Sequence, residues 1–187
     1  SAKGGSEAIE PHSRDGYPQP MITGILLNWK RPHNVARILE SWWYGGLVSE
    51  AIVWNNNPDA PLPGHTWASV INTSRDLGLY TRFLIAQLAA NECVLIQDDD
   101  LVLPDASLRR LHEEWKVRPD VLHGVFGRAP KPDGTYKINL LGDAEAPIVL
   151  TRALLSHRRH FTEFFHALPA FESVQRDTVP FGNGEDI

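Results

Sequence analysis

From Met21 onward, short apolar runs alternate with segments of helical period. The first run is "ITGILLNW", residues 22–29. In the next segment, "RPHNVARILESWWYGG", Val35, Ile38, Leu39, Trp42 and Trp43 recur at helical spacing and Gly45 and Gly46 provide a stop, so a helix is predicted there. The runs "AIVW" (51–54) and "SVI" (69–71) are short and β-branched and predict two strands, and "LGLYTRFLIAQLAANE" (77–92) predicts a second helix. "CVLIQ" (93–97) is a further strand. Pro104 and Asp105 then open a third helix with Leu108, Leu111 and Trp115 on one face, ended by "RPD" at 118–120. "HGVFG" (123–127) predicts another strand, while Phe161, Phe164, Phe165 and Leu168 define an apolar side opposite Arg152 and the basic "SHRRH" (156–160), read as a solvated helix face. Strands alternating with helices predict an α/β domain with a mainly parallel sheet.

Composition sets bounds on this picture. The 187 residues, 42% hydrophobic, suffice for one domain with one core, expected over 21–187. Residues 1–20 are polar and rich in Gly and Pro, and are expected to be a flexible segment outside the fold. A net charge of −5 with dispersed basic residues argues against a nucleic-acid partner. Cys93 is the only cysteine, which excludes an intrachain disulfide and a thiolate zinc cluster. No apolar stretch approaches the ~20 residues of a membrane-spanning helix. The expected compartment is the Golgi or ER lumen if an anchor has been removed upstream, and the cytoplasm otherwise; the oligomeric state is open.

The apolar runs share one regularity, which is that they end in polar residues: Asn28, the run Asn55 to Asn57, Asn72, and Asp98. In a parallel sheet these ends lie along one edge, outside which ligands of open α/β sheets bind. Asn28, Asn56 and Asn72 are therefore candidate ligand-binding residues, although Asn at a strand exit can equally be turn chemistry. The run "QDDD" adds three adjacent carboxylates, Asp98, Asp99 and Asp100. They repel one another unless a cation compensates. Strand geometry sends Asp98 and Asp100 to one side and Asp99 to the other. Carboxylates without neighbouring His or Cys suit a hard divalent ion, Mn²⁺ or Mg²⁺, which completes its shell with water and substrate phosphate. Asp98 and Asp100 are the expected metal ligands. The competing reading is a solvated acidic turn, with Asp105 capping the helix that follows.

From about Ile22 to Ile187 the chain resembles GT-A fold glycosyltransferases, closest to the exostosin-like glycosyltransferase family 64. The resemblance rests on "NWKRP" (28–32) after the first strand, "VWNN" (53–56) closing the second, "YTRF" (80–83), the aspartate (DXD-type) triplet sixteen residues after Arg82, and "NGEDI" (183–187). It implies a GT-A, Rossmann-like α/β/α sandwich and a metal-dependent transfer of a sugar from a nucleoside-diphosphate-sugar, a UDP-sugar, to an acceptor hydroxyl of a carbohydrate or glycoconjugate. By the same resemblance Arg31 and Asn56 contact the nucleotide, Arg82 faces the donor diphosphate, Asp98 and Asp99 lie against ribose and donor sugar, and Asp100 is the direct metal ligand. Asp186 sits beside the transferred sugar, so Asp186 and Arg82 are the expected catalytic residues. Developing charge on the departing nucleoside diphosphate calls for such a metal and for guanidinium donors.

The chain departs from the family pattern at Tyr80 and Thr81, where asparagines are usual, and at Gly184, where a cysteine is. Family members continue beyond the Glu-Asp-Ile element, so a chain truncated after Ile187 is expected. The resemblance favours retention, in which the departing phosphate takes the acceptor proton. The alternative is an inverting, family-2-like reaction with Asp186 as general base. Two other classes stay open: a non-catalytic nucleotide-sugar-binding domain, and a nucleotidyltransferase, against which the missing glycine-rich loop after the first strand counts. Arg128 is a further candidate for the cleft.

Overall fold

The computed structural model describes residues 21–133, 135–137 and 144–167. Strand β1 (Ile22–Asn28) is buried along its whole length, as an apolar run must be when it is flanked on both edges. Helix α1 (Pro32–Gly45) begins with a proline, whose missing N–H costs nothing at a helix start, and ends at Gly46, whose φ of 72° lets its N–H cap the Trp42 carbonyl. Then follow β2 (Val48–Asn55), β3 (Ala68–Asn72), the short helix α2 (Thr81–Ile85), β4 (Cys93–Asp98) and α3 (Asp105–Val117). The rest comprises β5 (His123–Gly124), β6 (Gly127–Pro130), β7 (Tyr136–Lys137), β8 (Ile148–Val149), β9 (Ala153–His157) and α4 (Arg158–Ala167).

The main sheet has the order β3-β2-β1-β4-β9-β5. Its first four strands are parallel; β9 and β5 join antiparallel. A small antiparallel sheet, β7-β6-β8, stands apart from it. Two apolar cores lie on opposite faces. Side chains of alternate parity, Ile22 and Leu26 of β1 and Cys93 and Leu95 of β4, pack with α1 and α3, whereas Ile25, Val94 and Ile96 pack with Phe83 of α2 and Phe161 of α4. The expected α/β/α layering with a mainly parallel sheet is thereby present. Gly24 belongs to the first face, where a Cβ would stand 2.5 Å from Cζ3 of Trp42; only a glycine lets that indole lie against the strand.

Three predicted elements differ. The helix expected over 77–92 is reduced to Thr81–Ile85 and a 3-10 turn at Ala86–Leu88, after which Ala89 is extended. Its apolar spacing does not mark one buried face, because Leu77, Leu84 and Leu88 are exposed. Instead the chain is drawn toward β4 as Ala90 and Asn91 donate their N–H groups to Glu50 and Thr23. The strand expected over 123–127 breaks into β5 and the start of β6, which belong to different sheets. Ser156 and His157, read as part of a solvated helix face, instead end β9; Ser156 is fully buried. Only from Arg158 does that segment become helical, with Phe161 and Phe164 packed on Phe83 and Arg159 paired with Asp120. Leu168 lies outside the described residues.

Candidate active site

The parallel strand order reverses direction at β1. After β1 the chain winds outward through β2 and β3, then returns to place β4 on the other side of β1. The carboxyl ends of β1 and β4 thus flank a topological switch point, where open α/β sheets bind ligands. Asn28 closes one of these strands and Asp98 the other.

Strand parity dictates what each aspartate meets. Asp98 shares the parity of Val94 and Ile96 and so points to the α2 layer, where its Oδ1 accepts a hydrogen bond of 2.8 Å from Nη1 of Arg82. Arg82 is only 3% exposed and also donates to Thr151 Oγ1 (2.9 Å) and the Leu79 carbonyl (3.1 Å). Asp99 points to the α1 layer and is 5% exposed. One of its oxygens accepts from Arg31 Nη1 (2.7 Å) and the other from the Trp29 N–H (3.1 Å), while its carbonyl accepts from Asn34 Nδ2 (2.8 Å). Asp99 thereby clamps the β1–α1 loop, and its hydrogen bond and charge raise the Arg31 guanidinium above its ordinary pKa. Asp100 turns outward to Arg152, whose Nε lies 3.2 Å from Oδ1.

Each carboxylate therefore has its own arginine, supplied by a different segment. The mutual repulsion read from the sequence is met by three guanidinium groups. Asp99, with both oxygens engaged, is the least available to another cation. Asp98 and Asp100 each give one oxygen to an arginine, and Asp100, with its side chain 36% exposed, is the most open of the three. Among the described residues no three His, Cys, Asp or Glu side chains are grouped to hold a metal ion unaided. The donor set fits a hard divalent ion that takes its remaining ligands from water and a substrate phosphate.

The asparagines form a second layer of the strand edge. Asn28, Asn55 and Asn72 occupy register-matched positions at the ends of β1, β2 and β3. Asn28 donates to Asn55 Oδ1 (2.7 Å), and Asn55 donates to Asn72 Oδ1 (2.8 Å), forming an amide ladder. Asn72 closes it on the backbone of Leu62, donating to its carbonyl and accepting its N–H. Asn56 instead braces the loop before α2: its amide donates to Asp76 and to the Gly78 carbonyl, and its oxygen accepts the Leu77 N–H. Gly78, at φ 78°, supplies the left-handed turn there. Arg31, Arg82 and the aspartates converge at β1 and β4; Asn72 stands at the β3 end, two strands from β1. Asp186 lies outside the described residues. Arg128, on β6, hydrogen-bonds the carbonyl of Gly127.

Thr151 and Arg152 were not assigned to the site by sequence reasoning. They precede β9, whose antiparallel pairing with β4 brings Arg152 O to the Asp98 N–H (3.1 Å). The available signal was "ALLSH", an apolar run too short to separate from the helix after it. Asn34 and Asp76 were also missed, each a polar residue of a helix start or loop with no distinguishing local pattern.

Comparison with solved structures identifies the fold. A crystal structure of GalNAc-T7 with UDP, GalNAc and Mn²⁺ matches 77% of this chain and 36% of its own, with a TM-score of 0.58 at 10% identity. A mannosyltransferase from Pyrobaculum calidifontis in complex with GDP-Man and Mn²⁺ matches 79% of this chain and 47% of its own, with a TM-score of 0.53 at 14% identity. The fold is that of the GT-A glycosyltransferases, as the sequence resemblance implied.

More narrowly, the glycosyl transferase family 64 domain model matches residues 22–187, and the chain belongs to that family. Glucosamine inositolphosphorylceramide transferase 1 of Arabidopsis thaliana is 26% identical over 136 residues, covering 71% of this chain and 18% of the relative. Human exostosin-2 is 28% identical over 148 residues, covering 73% and 20%. The chain thus spans about a fifth of the length of these relatives.

Proposed function

We propose that this chain is the donor-binding part of a metal-dependent glycosyltransferase that moves a sugar from a nucleoside-diphosphate-sugar, a UDP-sugar, to an acceptor hydroxyl, with retention. The observation that carries the reading is the convergence of the aspartate triplet with Arg31 and Arg82 at the switch point of a family 64 domain. Arg31, half exposed beside the buried Asp99, is held where it can meet the nucleotide, and Asn56 shapes the adjoining loop. Arg82 is fixed by three hydrogen bonds before any ligand arrives, so no side-chain freedom remains to be lost when it faces the diphosphate. Asp98 and Asp99 border the ribose and donor sugar. Asp100, with Asp98, would hold Mn²⁺ or Mg²⁺, which when bound offsets charge on the leaving diphosphate. By the family resemblance Asp186, outside the described residues, is assigned to the transferred sugar; with the departing phosphate taking the acceptor proton, its carboxylate would stabilise positive charge at the anomeric carbon.

The test is calorimetric titration of UDP, GDP, ADP and CDP, with and without Mn²⁺, into the parent chain and Asp100→Ala. Metal-dependent binding of UDP, lost in the variant, is expected. Nucleotide binding indifferent to both metal and Asp100 overturns the proposal. Binding without turnover of any sugar donor by a longer chain indicates a nucleotide-sugar-binding module instead, and release of pyrophosphate from a nucleoside triphosphate indicates a nucleotidyltransferase.

A further inference from the structure

Of the three arginines on the triplet, Arg152 is held differently from the other two. Arg82 is locked by three hydrogen bonds at 3% exposure, and Arg31 is tied to an aspartate that also grips the loop backbone. Arg152 makes a 3.2 Å contact with Asp100, their side chains 42% and 36% exposed, and its guanidinium lies 5.0 Å from the centroid of the Phe126 ring. Such a pair is weak, because water competes at both ends. Its backbone, in contrast, is fixed: Arg152 O accepts the Asp98 N–H and its neighbour Thr151 hydrogen-bonds Arg82. The result is a partly exposed, weakly paired cation on a hydrogen-bonded backbone, resting on the most accessible carboxylate.

We infer that Arg152 is a donor-binding residue that couples metal and donor binding: it neutralises Asp100 in the ligand-free protein, and yields that carboxylate to the metal by moving onto the donor's diphosphate. This inference rests on the function proposed above. A divalent ion taken up by Asp100 while Arg152 stays in place brings two cations to within a few ångströms of each other, and that repulsion opposes metal binding. Metal alone therefore binds against Arg152, with nothing to receive the guanidinium. A diphosphate provides a bidentate acceptor, for which a guanidinium is suited. Metal and nucleotide then assist each other's binding, and by linkage the assistance is equal in both directions.

The coupling is read by titrating the 187-residue chain and its Arg152→Met variant with MnCl2 alone, with UDP alone, and with UDP at saturating Mn²⁺. Loss of the competing ion pair should tighten Mn²⁺ binding about threefold to fivefold in the absence of nucleotide. Loss of the diphosphate contact should weaken UDP binding at saturating Mn²⁺ about tenfold. These shifts have opposite signs, whereas a structural lesion weakens both. Arg152→Lys, which keeps a cation on a flexible stem, should fall between parent and Arg152→Met, and equal melting temperatures establish that all three are folded. Unchanged Mn²⁺ affinity in Arg152→Met, or weakening of both ligands together, overturns the inference. Asp100→Asn separates the two levels: if it retains Mn²⁺ binding, the metal assignment itself fails; if it loses Mn²⁺ while Arg152→Met behaves as parent, only the role of Arg152 fails.

Discussion

Replacing Asp98 by Asn leaves Arg82 in its socket with one partner uncharged. The guanidinium stays 3% exposed and keeps Thr151 and the Leu79 carbonyl, so its shape and packing are undisturbed and the loss is electrostatic. At the observed 2.8 Å contact and an effective dielectric near 20, the gross attraction between unit charges a few ångströms apart is about 4 kcal/mol. The Asp98 side chain is 32% exposed, so solvent screens part of this; its neighbour carboxylates also lose a repulsion on neutralisation. A destabilisation of about 2 kcal/mol is expected, below the ~3–5 kcal/mol that breaking a fully buried pair costs, because one partner is partly solvated. Arg82→Met should cost a similar amount, because Asp98 can rehydrate while the burial of the guanidinium is no longer needed. The double variant should be no worse than the poorer single one, giving a coupling energy of about 2 kcal/mol in the cycle. Urea midpoints at unchanged m-value report all four stabilities. Costs that add to within about 0.5 kcal/mol would refute the argument, since that is the behaviour of independent sites.

Three further outcomes follow from the packing and burial. Gly24→Ala puts a methyl group against the Trp42 ring and should destabilise by about 1–3 kcal/mol in urea unfolding; adding Trp42→Leu should recover part of it. Burial pushes the Cys93 thiol up to about 12, so iodoacetamide near pH 8 should leave the folded chain unlabelled and label it after unfolding. Because the folded value lies above the unfolded one, this group's contribution to stability is complete below pH 9 and is lost as pH rises from there toward 12. Burial lowers the pKa of His160, opposed by Glu163 and reinforced by Arg159. The unfolded chain then takes up protons first, so stability present above pH 6.5 is lost as pH falls through the folded value. The melting temperature of His160→Asn should accordingly fall less steeply on acidification than that of the parent.

Local pattern determined the parts of this protein that depend on neighbours along the chain. The apolar run of β1, the face of α1 with its proline start and glycine stop, the start of α3 at Asp105 after Pro104 and the parallel α/β class follow from burial periodicity and backbone chemistry, which act over a few residues. The period of a strand likewise set Asp98 and Asp99 on opposite sides. What the sequence could not determine is who meets them. Asp98, Asp99 and Asp100 find arginines 16, 68 and 52 residues away, and sequence order holds no record of such distances until the sheet is assembled. The same is true of β9: the run "ALLSH" becomes a strand only because β4 presents an open edge beside it. The predicted long helix before β4 shortens for a tertiary reason as well, since Glu50 and Thr23 capture its last backbone N–H groups. Side-chain chemistry marked out the acidic rim, and long-range strand pairing decided that three guanidinium groups, one of them loosely held, would occupy it.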